Sequence, residues 1–329
     1  MEFTRLGATG LRVSRLALGC MSYGDPTVPG AHAWAMDDDA AQPFFRQAVE
    51  LGITLWDTAN NYQAGSSEEL VGRAITRYSR REEIVLATKV WGRMHDGPGG
   101  QGLSRKAILE QVDASLTRLG TDYIDLYQIH RFDPETPVEE TMEALHDVVR
   151  AGKARYLGAS SMYAWEFAKL QHAADLGAWT RFVSMQNQYN LLRREEEREL
   201  IPMCADMGVG LVPYSPQGKG RLTRPFGEQS ERSAVDRVVS RTTWRKTSPS
   251  SMRSKRSPRR EGRAWPKSRW RGCCTTLPCR VRLSGRRSNI ISPTRSPHST
   301  FISPTTKLPP SKRPTCRTDR PGSRRSVTV

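Results

Sequence analysis

The sequence predicts an α/β fold, a (β/α)₈ barrel, over its first 240 residues, and three observations lead to that prediction. Short apolar runs alternate with segments of amphipathic helical pattern, as in parallel strands joined by helical crossovers. The first run is followed by "GCMSYGD", which lacks the GxGxxG fingerprint of the competing open, doubly wound sheet. Ionisable residues stand at the ends of three successive runs, where a barrel gathers side chains round one pocket.

The apolar runs are short enough to be buried strands. A small hairpin with Gly10 at its turn precedes them, and seven runs follow, at residues 16–20, 54–58, 84–90, 123–130, 155–161, 182–189 and 209–216. Seven βα units are one short of a complete barrel, so we expect the last βα unit to be missing or disordered.

The intervening helices carry recognisable start and stop residues. Thr136 followed by Glu139, and Ser66 followed by Glu69, have the spacing of a capping box at a helix start. Residues 104–120 place apolar side chains on one face at helical spacing, and Gly120 is positioned to end that helix.

Composition divides the chain into two pieces at about residue 240. Residues 1–240 hold 27 Lys and Arg against 32 Asp and Glu, whereas residues 241–329 hold 24 against 2. The second piece also contains 11 of the 21 prolines and few apolar runs. We therefore predict a folded domain over 1–240 and a basic, Pro/Arg/Ser-rich tail over 241–329 that is largely disordered.

Several protein classes are disfavoured by what the sequence lacks. There is no apolar run long enough to span a membrane, and the N-terminus has no apolar signal segment. Only Cys20 and Cys204 lie in the first piece, and the four tail cysteines lack the CxxC spacing of a zinc site. We expect a cytoplasmic protein without a metal or a membrane partner.

Polar residues at the strand ends are the candidates for chemistry. Asp57, Lys89 and His130 end the second, third and fourth runs, and Tyr62 follows the second run closely. Lys89 leaves a very apolar strand, so its ammonium needs a partner, and Asp57 on the adjacent strand is the obvious one. The structural alternative for Asp57 is a carboxylate that caps a turn or the next helix.

These motifs together resemble the aldo-keto reductases. "DTANNYQAGSSEELVGRAI", "IVLATKV", "DYIDLYQIH" and "GASS" stand in the order and at the spacing of that family, over residues 2 to about 240. The stretch from 160 to 192 looks most similar to a bacterial, aryl-alcohol-dehydrogenase-like branch. The resemblance implies a TIM barrel that reduces aldehydes or ketones to alcohols by hydride transfer from NADP(H).

The resemblance also implies roles for the four strand-end residues. Tyr62 would be the general acid that protonates the carbonyl oxygen, and His130 would hold that oxygen by a hydrogen bond. Lys89, paired with Asp57, would lower the pKa of the phenol from its free value of about 10, which makes it a better proton donor near neutrality.

On the cofactor side the resemblance implies a further set of residues. Polar groups after strands five and six would hold the nicotinamide carboxamide, Tyr214 would stack on the nicotinamide ring, and Ser215 would begin the loop that covers the pyrophosphate. Met21 would line the same pocket, although it could equally be ordinary core. The predicted cofactor-binding residues are Met21, Asp57, Ser160, Ser161, Gln186, Tyr214 and Ser215.

The tail has two interpretations. It could be a basic extension that binds nucleic acid, but no recognisable motif supports that partner. Alternatively, back-translating residues 265–279 and reading one base earlier allows "MAQVALAWLLHHPAV", and residues 282–288 allow "SPIGATK". Both are typical of the family near its eighth strand, so we hypothesise an out-of-frame translation that begins near Ser240. The lysine that would hold the 2′-phosphate of NADP(H) is then absent from the chain.

Three functions follow as hypotheses. The first is an NADP(H)-dependent reductase acting on a small carbonyl or alcohol substrate. The second is a catalytically silent barrel that serves as a binding subunit, which the intact set of Asp57, Tyr62, Lys89 and His130 disfavours. The third is a nucleic-acid binder that acts through its basic tail, with steeply salt-dependent affinity.

Overall fold

The computed structural model describes residues 1–225, in which a two-stranded hairpin precedes seven parallel strands that alternate with helices. The strands are β1 Phe3–Arg5, β2 Arg12–Ser14, β3 Ala17–Gly19, β4 Leu55–Asp57, β5 Val85–Val90, β6 Ile124–Ile129, β7 Ala154–Ser160, β8 Phe182–Gln186 and β9 Gly210–Leu211. The helices are α1 Asp38–Glu50, α2 Ser66–Tyr78, α3 Arg105–Leu119, α4 Val138–Arg150, α5 Ala164–Leu176 and α6 Leu200–Asp206. Short 3₁₀ turns lie at Tyr62–Gly65, Arg81–Glu83 and Glu195–Glu197.

The parallel strands form one sheet in which neighbours in sequence are neighbours in space, from β3 to β9. A doubly wound sheet reverses its strand order at a switch point, and this sheet has no reversal among the described strands. Sequential winding curls a parallel sheet on itself and leaves the helices on its outer face. The predicted α/β class, with TIM-barrel winding, is confirmed. Each of the seven predicted runs overlaps one of these strands, and six of the runs contain their strand entirely.

Two clusters of buried apolar side chains pack against the sheet. The larger cluster packs the helices against the sheet and includes Trp56, Tyr127 and Phe167. A smaller cluster joins the hairpin to the strands, and its buried members are Leu6, Val13, Leu55, Ala87, Leu126 and Val212. The hairpin therefore covers one end of the curled sheet.

Close backbone approach fixes the hairpin on β9. The amide of Ala8 donates to the Gly208 carbonyl at 2.7 Å. A Cβ built on Gly7 would lie 2.3 Å from the same oxygen, and Gly7 has a φ of +60°. Only glycine satisfies both the contact and the left-handed backbone here.

The helix boundaries agree with the predicted patterns better than the caps do. Helix α3 starts after Ser104, whose side chain accepts from the amide of Ala107, and ends at Gly120 in the left-handed conformation as predicted. The capping box predicted at Thr136 is wrong, because Pro137 is the N-cap of α4 and the Thr136 hydroxyl donates to Asp133 at 2.8 Å.

The capping box predicted at Ser66 is also wrong. Ser66 is the first residue of α2 itself, after the N-cap Gly65. Its hydroxyl donates to the carbonyl of Gln63 and accepts from the amide of Asp25, so it joins two loops instead of capping the helix.

The predicted boundary after residue 240, the basic tail and any eighth βα unit all lie outside the described residues. Within residues 1–225, no helix combines the length and the apolar character that a membrane span requires.

The contact between α2 and α3 depends on Gly72. A Cβ added there would lie 2.3 Å from the carbonyl oxygen of Leu119, which is backbone and cannot move aside. We expect Gly72→Ala to lower the free energy of unfolding by about 1–3 kcal/mol, measured by urea denaturation. Gly10→Ala is the matched control, because a Cβ there meets nothing within 4 Å. Equal stability of the two variants would contradict this account of the helix contact.

Candidate active site

The ends of β4 and β5 bring a buried ion pair together. Lys89 is fully buried, and its Nζ donates to Asp57 Oδ2 at 2.6 Å. The same Nζ donates to the carbonyl of Thr58 at 2.9 Å and to the phenol oxygen of Tyr62 at 3.2 Å. An ammonium has three protons, so each of them has an acceptor in this arrangement.

Two amides hold the second oxygen of Asp57. Gln128 Nε2 donates to Oδ1 at 2.8 Å, and Gln186 Nε2 donates to it at 3.0 Å. Every side-chain hydrogen bond that the structure gives Asp57 thus goes to another side chain at the strand ends. The alternative in which Asp57 caps a turn or a helix is wrong.

A strained turn places Tyr62 above the ammonium. After Tyr62, the residues Gln63, Ala64 and Gly65 have φ values of +48°, +53° and +102°. Two consecutive non-glycine residues in the left-handed region are uncommon and need support from their surroundings. Gln63 provides that support, because its buried amide accepts from the backbone of His32 at 2.7 Å and donates to the carbonyl of Met21 at 2.6 Å.

The pKa of the phenol differs from the sequence-based expectation. Burial is the largest influence and raises the pKa of Tyr62, the charge of Lys89 lowers it, and the charge of Asp57 raises it again. The net pKa lies above its ordinary value. The prediction that Lys89 brings the phenol pKa below about 10 is therefore wrong for this structure, although the direction of the lysine's own influence is as predicted.

Lys89 remains protonated because its neighbours offset the effect of burial on its pKa. Burial alone lowers the pKa of Lys89, but the charge of Asp57 and the nearby phenol of Tyr62 raise it, and the net pKa lies above its ordinary value. A buried lysine would otherwise tend to lose its proton, so Asp57 keeps the positive charge beside Tyr62.

His130 lies at the end of β6, beside the tyrosine. The two rings meet edge to face, with centroids 5.6 Å apart and an interplanar angle of 77°. Burial, together with the charges of Lys89 and Arg131, holds the pKa of His130 well below its ordinary value, so the imidazole is neutral. Its Nδ1 is buried and has no hydrogen-bond partner among the described residues.

The predicted carboxamide-binding residues lie together at the ends of β7 and β8. The Ser160 hydroxyl donates to the carbonyl of Gln186 at 2.8 Å and lies 3.1 Å from the hydroxyl of Ser161. The Ser161 hydroxyl is 3.4 Å from the phenol oxygen of Tyr214, and both residues are partly exposed. Gln186 differs from the expectation in one respect, because its amide nitrogen is bonded to Asp57 inside the sheet.

Met21 and Ser215 lie on the loops after β3 and β9, outside the hydrogen bonds of this cluster. The side chain of Met21 is 37% exposed, which excludes the core alternative, and its carbonyl accepts from Gln63. Ser215 has a φ of +55°, and its carbonyl accepts from Asn190 at 3.0 Å.

Sequence reasoning missed Gln128 and Asn187. The signal for Gln128 was present, since a polar residue interrupts the apolar strand "DLYQIH". Asn187 accepts from the amide of Ser161 at 2.8 Å and thereby fixes the left-handed backbone of that serine, and its position after β8 gives no such indication.

The described residues contain no group of three or more His, Cys, Asp or Glu side chains that could hold a metal ion. Cys20, which lies next to Asp57 through a backbone hydrogen bond of 2.8 Å, is fully buried, and burial raises the pKa of its thiol. The ionisable chemistry of this site therefore rests on the carboxylate, the lysine, the phenol and the imidazole.

Comparison with known proteins agrees with this arrangement. Versiconal hemiacetal acetate reductase of Aspergillus parasiticus is 49% identical over 248 residues, covering 70% of this chain and 71% of that protein. The aldo-keto reductase AFTS1 of Alternaria alternata is 44% identical over 271 residues, covering 75% and 72%. A Schizosaccharomyces pombe protein with the provisional name aryl-alcohol dehydrogenase C977.14c is 45% identical over 256 residues, covering 70% and 72%.

These relatives are fungal, so the predicted bacterial branch has no support, whereas the aryl-alcohol-dehydrogenase likeness has. Their reductase and dehydrogenase names support oxidoreductase activity for this chain. The model of the Aldo/keto reductase family matches residues 15–255, well over half of the 329 residues. The chain therefore belongs to the aldo/keto reductase family.

Proposed function

We propose that the chain reduces aldehyde or ketone carbonyls to alcohols by hydride transfer from NADPH, with Tyr62 as the proton donor. The observation that carries the proposal is the single ammonium of Lys89, which contacts both Asp57 and the phenol of Tyr62. The positive charge lowers the pKa of the phenol against the effect of burial, so Tyr62 is a stronger acid than the same buried phenol would be without Lys89.

The residues present suit a nicotinamide cofactor. The hydroxyls of Ser161 and Tyr214 share only a long contact of 3.4 Å and are partly exposed, so a ligand amide can replace it without leaving a buried polar group unpaired. Ser160 and Gln186 would complete the polar surface for the carboxamide, and the ring of Tyr214 would support the nicotinamide. When bound, NADPH supplies the hydride that the carbonyl carbon receives.

Residues of the chain would supply the proton and stabilise the group that gives it up. Tyr62 would transfer the proton of its hydroxyl to the carbonyl oxygen, and Lys89 would stabilise the phenolate that is left. Neutral His130 has one N–H to donate, so it would orient the same carbonyl oxygen by a hydrogen bond. Asp57 would keep Lys89 charged throughout.

The direct test is an assay of the full-length chain with NADPH and an aldehyde such as 4-nitrobenzaldehyde. We expect consumption of NADPH and formation of the alcohol in equal amounts. NADPH binding with no turnover on a panel of aldehydes and ketones would instead indicate a silent binding subunit. A cytoplasmic location also stays a prediction, which fractionation of the source cells would test.

The origin of the tail bears on cofactor affinity. The family match runs past residue 240 to residue 255, and the comparisons give no support to an out-of-frame translation. We keep that origin as a hypothesis, because residues 241–329 contain no stretch typical of the family's 2′-phosphate site. The DNA sequence between the codons for Val238 and Ser250 would decide it.

This hypothesis predicts weak cofactor discrimination. We expect the full-length chain to bind NADPH with an affinity within about tenfold of its affinity for NADH, since a missing phosphate contact removes about 1.4 kcal/mol or more of preference. Fluorescence titration with both cofactors measures the ratio. Tight binding with a preference for NADPH of a hundredfold or more would show that the phosphate site is present.

A further inference from the structure

We propose that Gln128 is a positioning residue of this site, which fixes the carboxylate of Asp57 so that one oxygen faces Lys89 and the ammonium keeps its contact with Tyr62. The inference rests on the proposed function, because it assigns a part in tuning the proton donor to a residue outside the four considered so far.

The buried position of Gln128 in the sheet and its hydrogen bonds support this role. It is fully buried on β6, in register with Lys89 on β5 and with Gly158 on β7. A buried amide is costly unless its polar atoms are bonded. Its nitrogen reaches past β5 to Asp57 on β4 and donates there at 2.8 Å, while its oxygen accepts a longer bond of 3.5 Å from Gln186.

The effect on the ion pair follows from the geometry of a carboxylate. A carboxylate that is free to turn about its Cβ–Cγ bond can offer either oxygen, or both, to an ammonium. With Oδ1 held by the amides, only Oδ2 faces Lys89, at 2.6 Å. The bond from Lys89 to Tyr62 is the longest of the ammonium's three, at 3.2 Å, so it is the first to be lost if the ammonium moves toward a rotated carboxylate.

Gln186 donates to the same oxygen but is a less constant partner. Its backbone carbonyl accepts from the Ser160 hydroxyl and the Ser161 amide. Its side-chain amide is one of the groups proposed to hold the cofactor carboxamide, so that amide would have a second partner when the cofactor is bound. The hydrogen bond shown for the amide nitrogen of Gln128 goes to Asp57. Gln128 is therefore the donor that holds Asp57 with and without cofactor.

Packing leaves Gln128 little freedom. A Cβ on Gly158 would lie 2.9 Å from Gln128 Cγ and 2.5 Å from Ser184 Oγ, so a larger residue on β7 would displace the glutamine. The side chain is thus confined between Lys89 and Gly158 in the same cross-strand row, with its amide directed at Asp57.

The substitution Gln128→Glu tests the role through pH. Among the described residues, Asp57 and Lys89 neighbour this position directly, and the titratable groups next to that pair are Tyr62, Cys20 and His130. At low pH the introduced carboxyl is protonated and can donate to Asp57 as the amide does. As pH rises it ionises, repels Asp57 and draws Lys89 away from Tyr62.

We expect aldehyde reduction by Gln128→Glu to be near the wild-type rate at about pH 5.5 and to fall about tenfold or more below it by about pH 8. The matched control is Gln171→Glu. Gln171 is also buried, but both ends of its amide bind the backbone of Phe182. Phe182 is the first residue of β8, at the end of the strand away from the candidate site. Its ratio to the wild-type rate should stay constant with pH while circular dichroism shows both variants folded.

A second variant covers the case in which the introduced charge prevents folding. Gln128→Leu should lower kcat about tenfold at every pH and leave the KM for NADPH within about twofold, because only the proton donor is disturbed. An unchanged kcat in this variant, or a pH-independent ratio for Gln128→Glu, would overturn the positioning role. Tyr62→Phe in the same assay distinguishes failure of the positioning role from failure of the proposed function. Full activity of Tyr62→Phe would overturn the proposed function itself.

Discussion

Replacing Tyr62 by Phe should reduce the rate of carbonyl reduction by about 10³-fold, within the range that general acid catalysis commonly contributes. The substitution removes the one hydroxyl that lies 3.2 Å from Lys89 Nζ and leaves the ring in contact with His130. Cofactor affinity should change by less than about threefold, because no predicted cofactor contact is lost. Stopped-flow consumption of NADPH with an aldehyde, together with a cofactor titration, measures both quantities.

The chain offers a matched control for this substitution. Tyr127 is fully buried, and its hydroxyl has no hydrogen-bond partner among the described residues. Tyr127→Phe removes the same atom from a tyrosine outside the site and should leave the rate within about twofold of wild type. If Tyr62→Phe behaved like Tyr127→Phe, Tyr62 would not be the proton donor.

Lys89→Met should lower the rate of reduction at neutral pH by about 10²-fold or more. The charge of Lys89 and its hydrogen bond are the influences that lower the pKa of Tyr62 against the effect of burial, so removing both raises that pKa further. A phenol with a higher pKa is a weaker acid, and protonation of the carbonyl oxygen becomes slower.

This substitution also destabilises the protein, which the experiment must separate from chemistry. Asp57 would keep its two amide donors but lose its counter-ion, and breaking a buried ion pair costs about 3 kcal/mol. Urea denaturation measures that loss, and rates should be compared only where the variant is folded. A folded Lys89→Met variant with a wild-type rate would contradict the tuning role.

Asp57→Asn is the informative companion. The charge of Asp57 raises the pKa of Lys89, and without it burial favours a neutral lysine. The same charge raises the pKa of Tyr62, so its removal also acts in the opposite sense. We therefore expect a smaller loss of rate than in Lys89→Met, of about tenfold.

Much of the fold could be predicted because its pattern is local. Each parallel strand is a short apolar run, and those from β3 to β8 are each followed by a helix. This alternation can be read from the sequence without tertiary information. The helix caps failed where a side chain had a better partner outside its own helix, as Thr136 had in Asp133. Nothing in the local sequence around Thr136 shows that Asp133 would be within reach.

The candidate site was predictable in part for a similar reason. Parallel strands bring their carboxyl ends to one edge, so Asp57 and Lys89 could be paired from their positions alone. The roles of Tyr62 and His130 came from the family resemblance. The contact from Gln128 to Asp57 was not predictable, because it passes over an intervening strand and depends on the absence of a side chain at Gly158.

The pKa of Tyr62 illustrates a different limit. Its charged neighbours can be named from sequence, and the influence of Lys89 has the predicted sign. The degree of burial decides the net direction, however, and burial depends on how the turn at Gln63 and Ala64 seats the phenol. That turn, with its left-handed backbone, has no clear pattern in the sequence.

The pH dependence of aldehyde reduction by the full-length chain and by Lys89→Met tests the central claim most directly. If Tyr62 donates the proton under the influence of Lys89, the wild-type rate falls as pH rises through the phenol pKa. In Lys89→Met the same fall moves to higher pH, and the rate below it is about 10²-fold lower. Profiles of the same shape and midpoint for the two proteins would contradict the claim, because the lysine would then have no influence on the group that supplies the proton.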